Sequence, residues 1–158
     1  MNDVCRTELK STEYNLEDVP RCNRSGGSVG ILYRKNLKVK TVKNNRKLSF
    51  EHGLWKITCK NKSVYLAVIY CPSYSRSYPV TTTKFFEEFS EFLTEVCTNE
   101  EIVFAGDFNI PMNRNGDTDT RKLMELLDDF NLQQHITFPT HISNNTIDLV
   151  ITKREKLN

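Results

Sequence analysis

The spacing of apolar residues changes along the chain, and each change predicts an element. Val29-Gly-Ile-Leu-Tyr33 follows the turn signal Ser25-Gly-Gly-Ser28 and predicts a strand. In Leu37-Lys-Val-Lys-Thr-Val42, Lys and Val alternate with period two, as in a half-exposed strand. Residues 54–59 and 64–70 predict a hairpin around Lys60-Asn-Lys-Ser63. The second of these strands is nearly all apolar, the pattern of a central strand buried on both faces, and Pro72 stops it. Over residues 82–97 the period becomes helical. Phe85, Phe86, Phe89, Phe92, Leu93 and Val96 form an apolar stripe, and Glu87, Glu88, Glu91 and Glu95 are expected on the solvated face. Residues 101–105 read as a short buried strand ending at Gly106. Asp117 or Thr118 can cap a second helix over about residues 119–130, with Leu123, Leu126, Leu127 and Phe130 inward. A short strand near 134–138 and a last strand over 146–152 complete the chain, while residues 1–25 show no clear period and read as a loop.

Strands lead and helices are inserted between later strands, so the chain is α/β with a mixed sheet. Its 158 residues suffice for one domain with one sizeable core. A net charge of +2 neither requires nor excludes a nucleic-acid partner, because a binding surface can be local. The five cysteines (Cys5, Cys22, Cys59, Cys71 and Cys97) are odd in number and form no C-x-x-C pair, which argues against a zinc site or a disulfide framework. Reduced cysteines in an intracellular protein are expected. No apolar run approaches the roughly 20 residues that span a bilayer, and the polar N-terminus shows no signal-peptide core, so no membrane partner is expected.

The candidate chemistry starts at Gly106-Asp-Phe-Asn109. An apolar strand delivers Asp107 and Asn109 to the same side of an extended segment, with Phe108 opposite. That places a carboxylate and an amide where a strand leaves the sheet, the position at which open α/β sheets bind ligands. The carboxylate can orient or deprotonate a water or contact a metal, and the amide can donate to a phosphoryl oxygen. A plain β-turn suits Asp-x-Asn equally well. Asp148 stands within an otherwise apolar strand, where a carboxylate is costly unless paired; it either orients a catalytic group or faces solvent at a strand edge. Tyr70 ends a buried strand and can reach an anion at the sheet edge, although a rim tyrosine fits as well. Arg76, with Tyr74 and Tyr78 in a polar loop, can contact a phosphate backbone or simply be solvated. His52, His135 and His141 lack metal-ligand spacing and read as surface or loop histidines.

In this order, these residues resemble the endonuclease/exonuclease/phosphatase superfamily, and most of all its non-LTR retrotransposon branch. The resemblance rests on Gly26-Gly-Ser-Val-Gly-Ile-Leu-Tyr33, Val68-Ile-Tyr-Cys-Pro72, Ala105-Gly-Asp-Phe-Asn109, Phe138-Pro-Thr-His141 and Thr146-Ile-Asp-Leu-Val-Ile-Thr152. It implies a DNase I-like sandwich of two mixed β-sheets flanked by helices, incomplete at both termini. It divides the chain into an N-terminal segment (1–23), a partial endonuclease/exonuclease/phosphatase domain (24–152) and a charged tail (153–158). It also implies hydrolysis of a phosphodiester with Mg2+. Asp107 would orient or activate the attacking water, Asn109 and Tyr70 would contact the scissile phosphate, and Asp148 would orient a catalytic histidine. Thr140 would lie near the site. The superfamily's metal-binding glutamate and its closing Ser-Asp-His segment are not found, and Glu8, Glu13 and Glu17 are not assigned to the metal.

Three functions follow from this pattern. One is a metal-dependent DNA endonuclease of retroelement origin, acting on nucleic acid inside the cell and, by analogy, in the nucleus. The second is a truncated copy without turnover. The third is a nucleic-acid-binding module that uses the basic segment 34–47.

Overall fold

The computed structural model describes residues 13–20, 28–73, 79–99 and 101–155. Arg76, Tyr74, Tyr78, the Ser25–Gly27 turn signal and Glu8 lie outside them.

Eight strands and two helices are described. The strands are β1 (Tyr14–Pro20), β2 (Ser28–Arg34), β3 (Lys38–Thr41), β4 (Glu51–Cys59), β5 (Lys62–Tyr70), β6 (Ile102–Asp107), β7 (Leu132–Gln134) and β8 (Asp148–Lys153). The helices are α1 (Thr82–Val96) and α2 (Thr118–Asp129). Six strands form one mixed sheet in the order β3-β4-β5-β6-β8-β7, with β5 and β6 parallel and the other pairs antiparallel. β1 and β2 form a separate antiparallel pair, and β2 packs against β4 and β5.

Side-chain alternation decides what each face of the large sheet buries. Leu54, Ala67, Ile69, Phe104, Leu149 and Ile151 join one core with Phe85, Phe89, Phe92 and Leu93 of α1 and Leu123 and Leu127 of α2. The Phe side chains interlock at ring-centroid distances of 5.2 to 6.5 Å, mostly edge to face, the arrangement their quadrupoles favour. Both helices begin on side-chain caps. Thr81 accepts the amide of Lys84, and Asp117 accepts those of Asp119 and Thr120.

The structure corrects several expectations. Residues 14–20 are not a loop, because β1 pairs with β2 along its whole length. Glu17 on β1 also accepts the hydroxyls of Tyr33 and of Thr41 on β3, tying the small sheet to the edge of the large one. The strand expected near 134–138 is instead Leu132–Gln134. The Gln134 side chain bonds both the amide and the carbonyl of Ile136, two residues along the chain, just past the end of β7. β5 is central, but only its core face, with Ala67 and Ile69, is fully buried. His52 is buried, not a surface histidine. The acidic face of α1 is not merely solvated. Glu88 is 6% exposed and accepts the amides of Leu48 and Ser49 and the Ser49 hydroxyl, while Lys47 pairs with Glu91 and Glu95 at 3.1 Å each.

Among the described residues no helix is long and apolar enough to cross a membrane.

Candidate active site

Three strand ends meet at one edge of the large sheet. Tyr70, the last residue of β5, pairs in register with Asp107, the last residue of β6, and Asp107 pairs with Asp148, the first residue of β8. On the outer side, Glu51 at the start of β4 pairs with Tyr70. In-register residues share a face, so the row runs Glu51, Tyr70, Asp107, Asp148. This edge includes the carboxyl ends of the parallel pair β5 and β6.

The backbone around Asp107 is built for close approach. Gly106 has φ +144°, and a Cβ there would lie 1.9 Å from the Ile69 carbonyl oxygen. Glycine therefore lets β6 close on β5 one residue before Asp107. Phe108 then drops fully into the core, and its amide bonds the Ile147 carbonyl at 2.9 Å. Asn109 turns the chain at φ +52°, a left-handed conformation that Asn tolerates.

Asn109 is fastened on three sides. Its amide N–H donates to Asp107 Oδ1 at 2.9 Å, its Nδ2 donates to the Cys71 carbonyl at 2.6 Å, and its Oδ1 accepts from Ser73 Oγ at 3.0 Å. The side chain thus latches the end of β6 to the segment leaving β5. Burial raises the Asp107 pKa above the ordinary carboxylate value. The Asn109 amide opposes that shift, Asp148 adds to it by repulsion, and His141 opposes it. The Cys71 thiol, also next to Asp107, is pushed up to about 12, first by burial and then by the Asp107 charge.

Asp148 does not stand inside a buried strand, as its apolar neighbours suggested. It opens β8 and is exposed. The strand starts two residues later than the apolar run because Thr146 is held elsewhere. The Thr146 amide donates to Asn113 and its hydroxyl to the Phe138 carbonyl. Thr140 sits directly behind Asp148, its hydroxyl oxygen accepting the amides of Ile147 and Asp148 at 3.1 and 3.0 Å.

Tyr70, Asp107, Asn109, Asp148 and Thr140 are thus brought to one edge, and Arg76 lies outside the described residues. Sequence reasoning missed Ser73, Glu51 and the electrostatic proximity of His141. Ser73 follows the motif-ending Pro72 directly, which was an available signal. Glu51 had none, because only strand register brings it near, whereas His141 ends the Phe138-Pro-Thr-His141 motif. Among the described residues no group of three or more His, Cys, Asp or Glu side chains is arranged to hold a metal ion. Asp107 and Asp148 alone do not make up the magnesium centre that the resemblance implies.

A model of the endonuclease-reverse transcriptase family matches residues 64–158, more than half of the chain. The chain belongs to that family. Solved structures of the endonuclease/exonuclease/phosphatase superfamily share its fold. The endonuclease domain of TRAS1, a telomere-specific non-LTR retrotransposon, superposes with a TM-score of 0.62 at 14% identity, over 86% of this chain and 64% of that domain. TDP2 of D. rerio, complexed with single-strand DNA product, gives 0.60 at 13% identity, over 97% of this chain and 67% of its own. The human nocturnin catalytic domain gives 0.58 at 12% identity, over 96% and 64%. This chain therefore spans slightly less than two thirds of the TRAS1 domain. No curated protein matches it. The fold is the DNase I-like α/β arrangement, with one mixed sheet and, where two mixed sheets were expected, a second that is an antiparallel pair among the described residues, together with helices.

Proposed function

We propose that this chain carries part of a nucleic-acid phosphodiesterase domain of retroelement origin, with DNA as substrate and the nucleus as its working compartment. The observation that carries this reading is the placement of Asp107 in register between Tyr70 and Asp148 at the carboxyl end of the parallel strand pair. Two fold relatives, the endonuclease domain of a retrotransposon and a protein complexed with single-strand DNA product, support the substrate class.

In this reading Asp107 takes a proton from the water whose oxygen attacks phosphorus. Its raised pKa makes it a better base than an ordinary carboxylate. The bond to the leaving oxygen breaks, and that oxygen takes its proton from solvent. Tyr70 and Asn109 stabilise the phosphate by donating to its non-bridging oxygens. Asn109 Nδ2 has to exchange its Cys71 carbonyl partner, or use its second N–H, to do so. Asp148 keeps Asp107 basic, and Thr140 fixes Asp148. Arg76 extends the contact to the flanking backbone. Magnesium, expected from the resemblance, is the variable to titrate.

The test is nicking of supercoiled plasmid with and without Mg2+, comparing the parent chain with Asp107→Ala. Loss of about 10²–10⁴-fold is expected if Asp107 is the base. Equal nicking by both proteins removes Asp107 from the chemistry.

A further inference from the structure

The other face of the large sheet carries a second feature, away from the Asp107 edge. Residues 34–62 hold ten Lys and Arg side chains against the single acid Glu51, in a chain whose net charge is only +2. Part of this charge is concentrated by strand register. Lys40 on β3 stands directly opposite Lys56 on β4, and Lys56 stands opposite Tyr65 on β5, with its ammonium 5.5 Å from the Tyr65 ring centre. Lys38, two residues back on β3, shares the face. Like charges placed opposite one another across strands repel. Among the described residues none of Lys38, Lys40, Lys43 or Lys56 has an ion pair.

Beside this row lies a cavity of about 440 Å3 between the 42–45 loop, Leu54, Tyr65 and the end of α1. That volume is in the range of small-ligand pockets, roughly 300–1,000 Å3. Asn44 lines it, and its Nδ2 is buried with no hydrogen-bond partner. A buried donor without an acceptor is unfavourable and marks a place for one. Other polar groups of the wall are engaged. Glu95 is paired with Lys47, Asn99 Nδ2 donates to the Val96 carbonyl, and the Thr98 hydroxyl donates to the Glu95 carbonyl. The loop bearing Asn44 is fastened to α1 by Lys47 and Glu88, so the cavity is held open in advance.

We propose that this face binds a single-stranded segment of nucleic acid. Its phosphates lie along Lys38, Lys40 and Lys56, and one unstacked base enters the cavity beside Tyr65 and accepts from Asn44 Nδ2. A basic track with an aromatic platform is how sequence-tolerant single-strand sites are built. A duplex keeps its bases stacked and cannot fill the cavity. Tyr65 lies five residues from Tyr70 along β5, about 17 Å, and faces the opposite side of the sheet. The site is therefore separate from the Asp107 edge. The inference rests on the nucleic-acid reading only for its ligand class.

The test uses the full chain in EDTA, with fluorescence anisotropy of labelled 12-mer oligothymidylate and of a 12-base-pair duplex between 50 and 200 mM salt. The single strand is expected to bind more tightly. Lys40→Ala/Lys56→Ala should weaken it and flatten the salt slope by about 1.4, near 0.7 for each phosphate no longer neutralised. Asn44→Leu should weaken the single strand several-fold at unchanged slope and leave the duplex unaffected. An unchanged slope in the double Lys variant, or equal effects of Asn44→Leu on both probes, overturns the inference. None of these outcomes depends on nicking, so the phosphodiesterase reading stands or falls separately.

Discussion

Asp107 and Asp148 end β6 and begin β8 directly opposite one another, with Cα atoms about 5 Å apart by the geometry of antiparallel pairing. The Asp148 charge disfavours ionisation of Asp107 and so contributes, after burial, to its raised pKa. Asp148→Asn removes that repulsion, so Asp107 ionises at lower pH. The acidic limb of the nicking rate against pH should move down in the variant. A limb that stays in place means that Asp107 is not the group titrating in it. The same linkage gives a stability prediction. Asp107 holds its proton more tightly folded than unfolded, so it favours the folded state at low pH and that contribution is lost as pH rises through its folded pKa. Asp107→Asn should therefore melt higher than the parent at neutral pH while losing activity.

The approach of Gly106 to Ile69 fixes the height of Asp107 above the sheet edge. Alanine at position 106 meets the Ile69 carbonyl at 1.9 Å and strains a φ of +144°. Gly106→Ala should cost about 3 kcal/mol of unfolding free energy. At temperatures where the variant remains folded, its nicking rate should fall too, because β6 must shift from β5. Thermal denaturation combined with nicking at about 20 °C checks both parts.

Much of this edge was legible in the sequence because its residues sit at the ends of strongly periodic strands. Tyr70 and Asp107 each close an apolar run, so alternation alone placed them at a rim. For Asp148 the pattern leaves two readings open, and the structure has the solvent-facing strand edge: the apolar run begins before the strand, and the start of β8 is set by Asn113, more than thirty residues away, and by Thr140. β1 was hidden because Tyr-Asn-Leu-Glu-Asp-Val-Pro has no clean alternation, and its order comes from pairing with β2. Glu88 was hidden differently. It falls within the buried stripe of α1, between Phe85 and Phe92, but its partners Leu48 and Ser49 are about forty residues away. Local pattern cannot report a partner that only the tertiary fold brings close.

Glu88 anchors the 48–49 segment to α1. Burial raises its pKa, but the hydrogen bonds from Ser49 and Leu48, with Lys84 nearby, outweigh burial and hold it below the ordinary value. The stability it contributes is therefore present at neutral pH and is lost as pH falls through that depressed value. Glu88→Ala leaves two backbone amides and a hydroxyl without their acceptor and should cost about 2 to 3 kcal/mol in urea unfolding at pH 7. The deficit should shrink in acid, where the parent also loses the carboxylate. A deficit independent of pH would mean that packing, not the charge, is what Glu88 supplies.

His52 provides the most direct pH test of the core. Its ring lies 4.7 Å from Phe92 and 5.2 Å from Phe50, centre to centre. Burial lowers its pKa to about 4, Lys47 adds to the shift, and Glu95 and a backbone contact from Asn45 oppose it. Above the unfolded pKa of about 6.5 the ring is neutral in both states and carries no penalty. Between 6.5 and 4 the unfolded chain takes up a proton that the folded one refuses, so stability falls, by about 3 kcal/mol once pH 4 is reached. His52→Phe keeps an aromatic ring in the cage and removes the proton. Urea midpoints at pH 7.5 and 4.5 should show the parent losing about 2 kcal/mol more than the variant across that interval. Other groups, Glu88 included, titrate in both proteins and cancel in the comparison. Equal losses would mean that His52 is protonated in the folded core, paired with Glu95 more strongly than burial opposes.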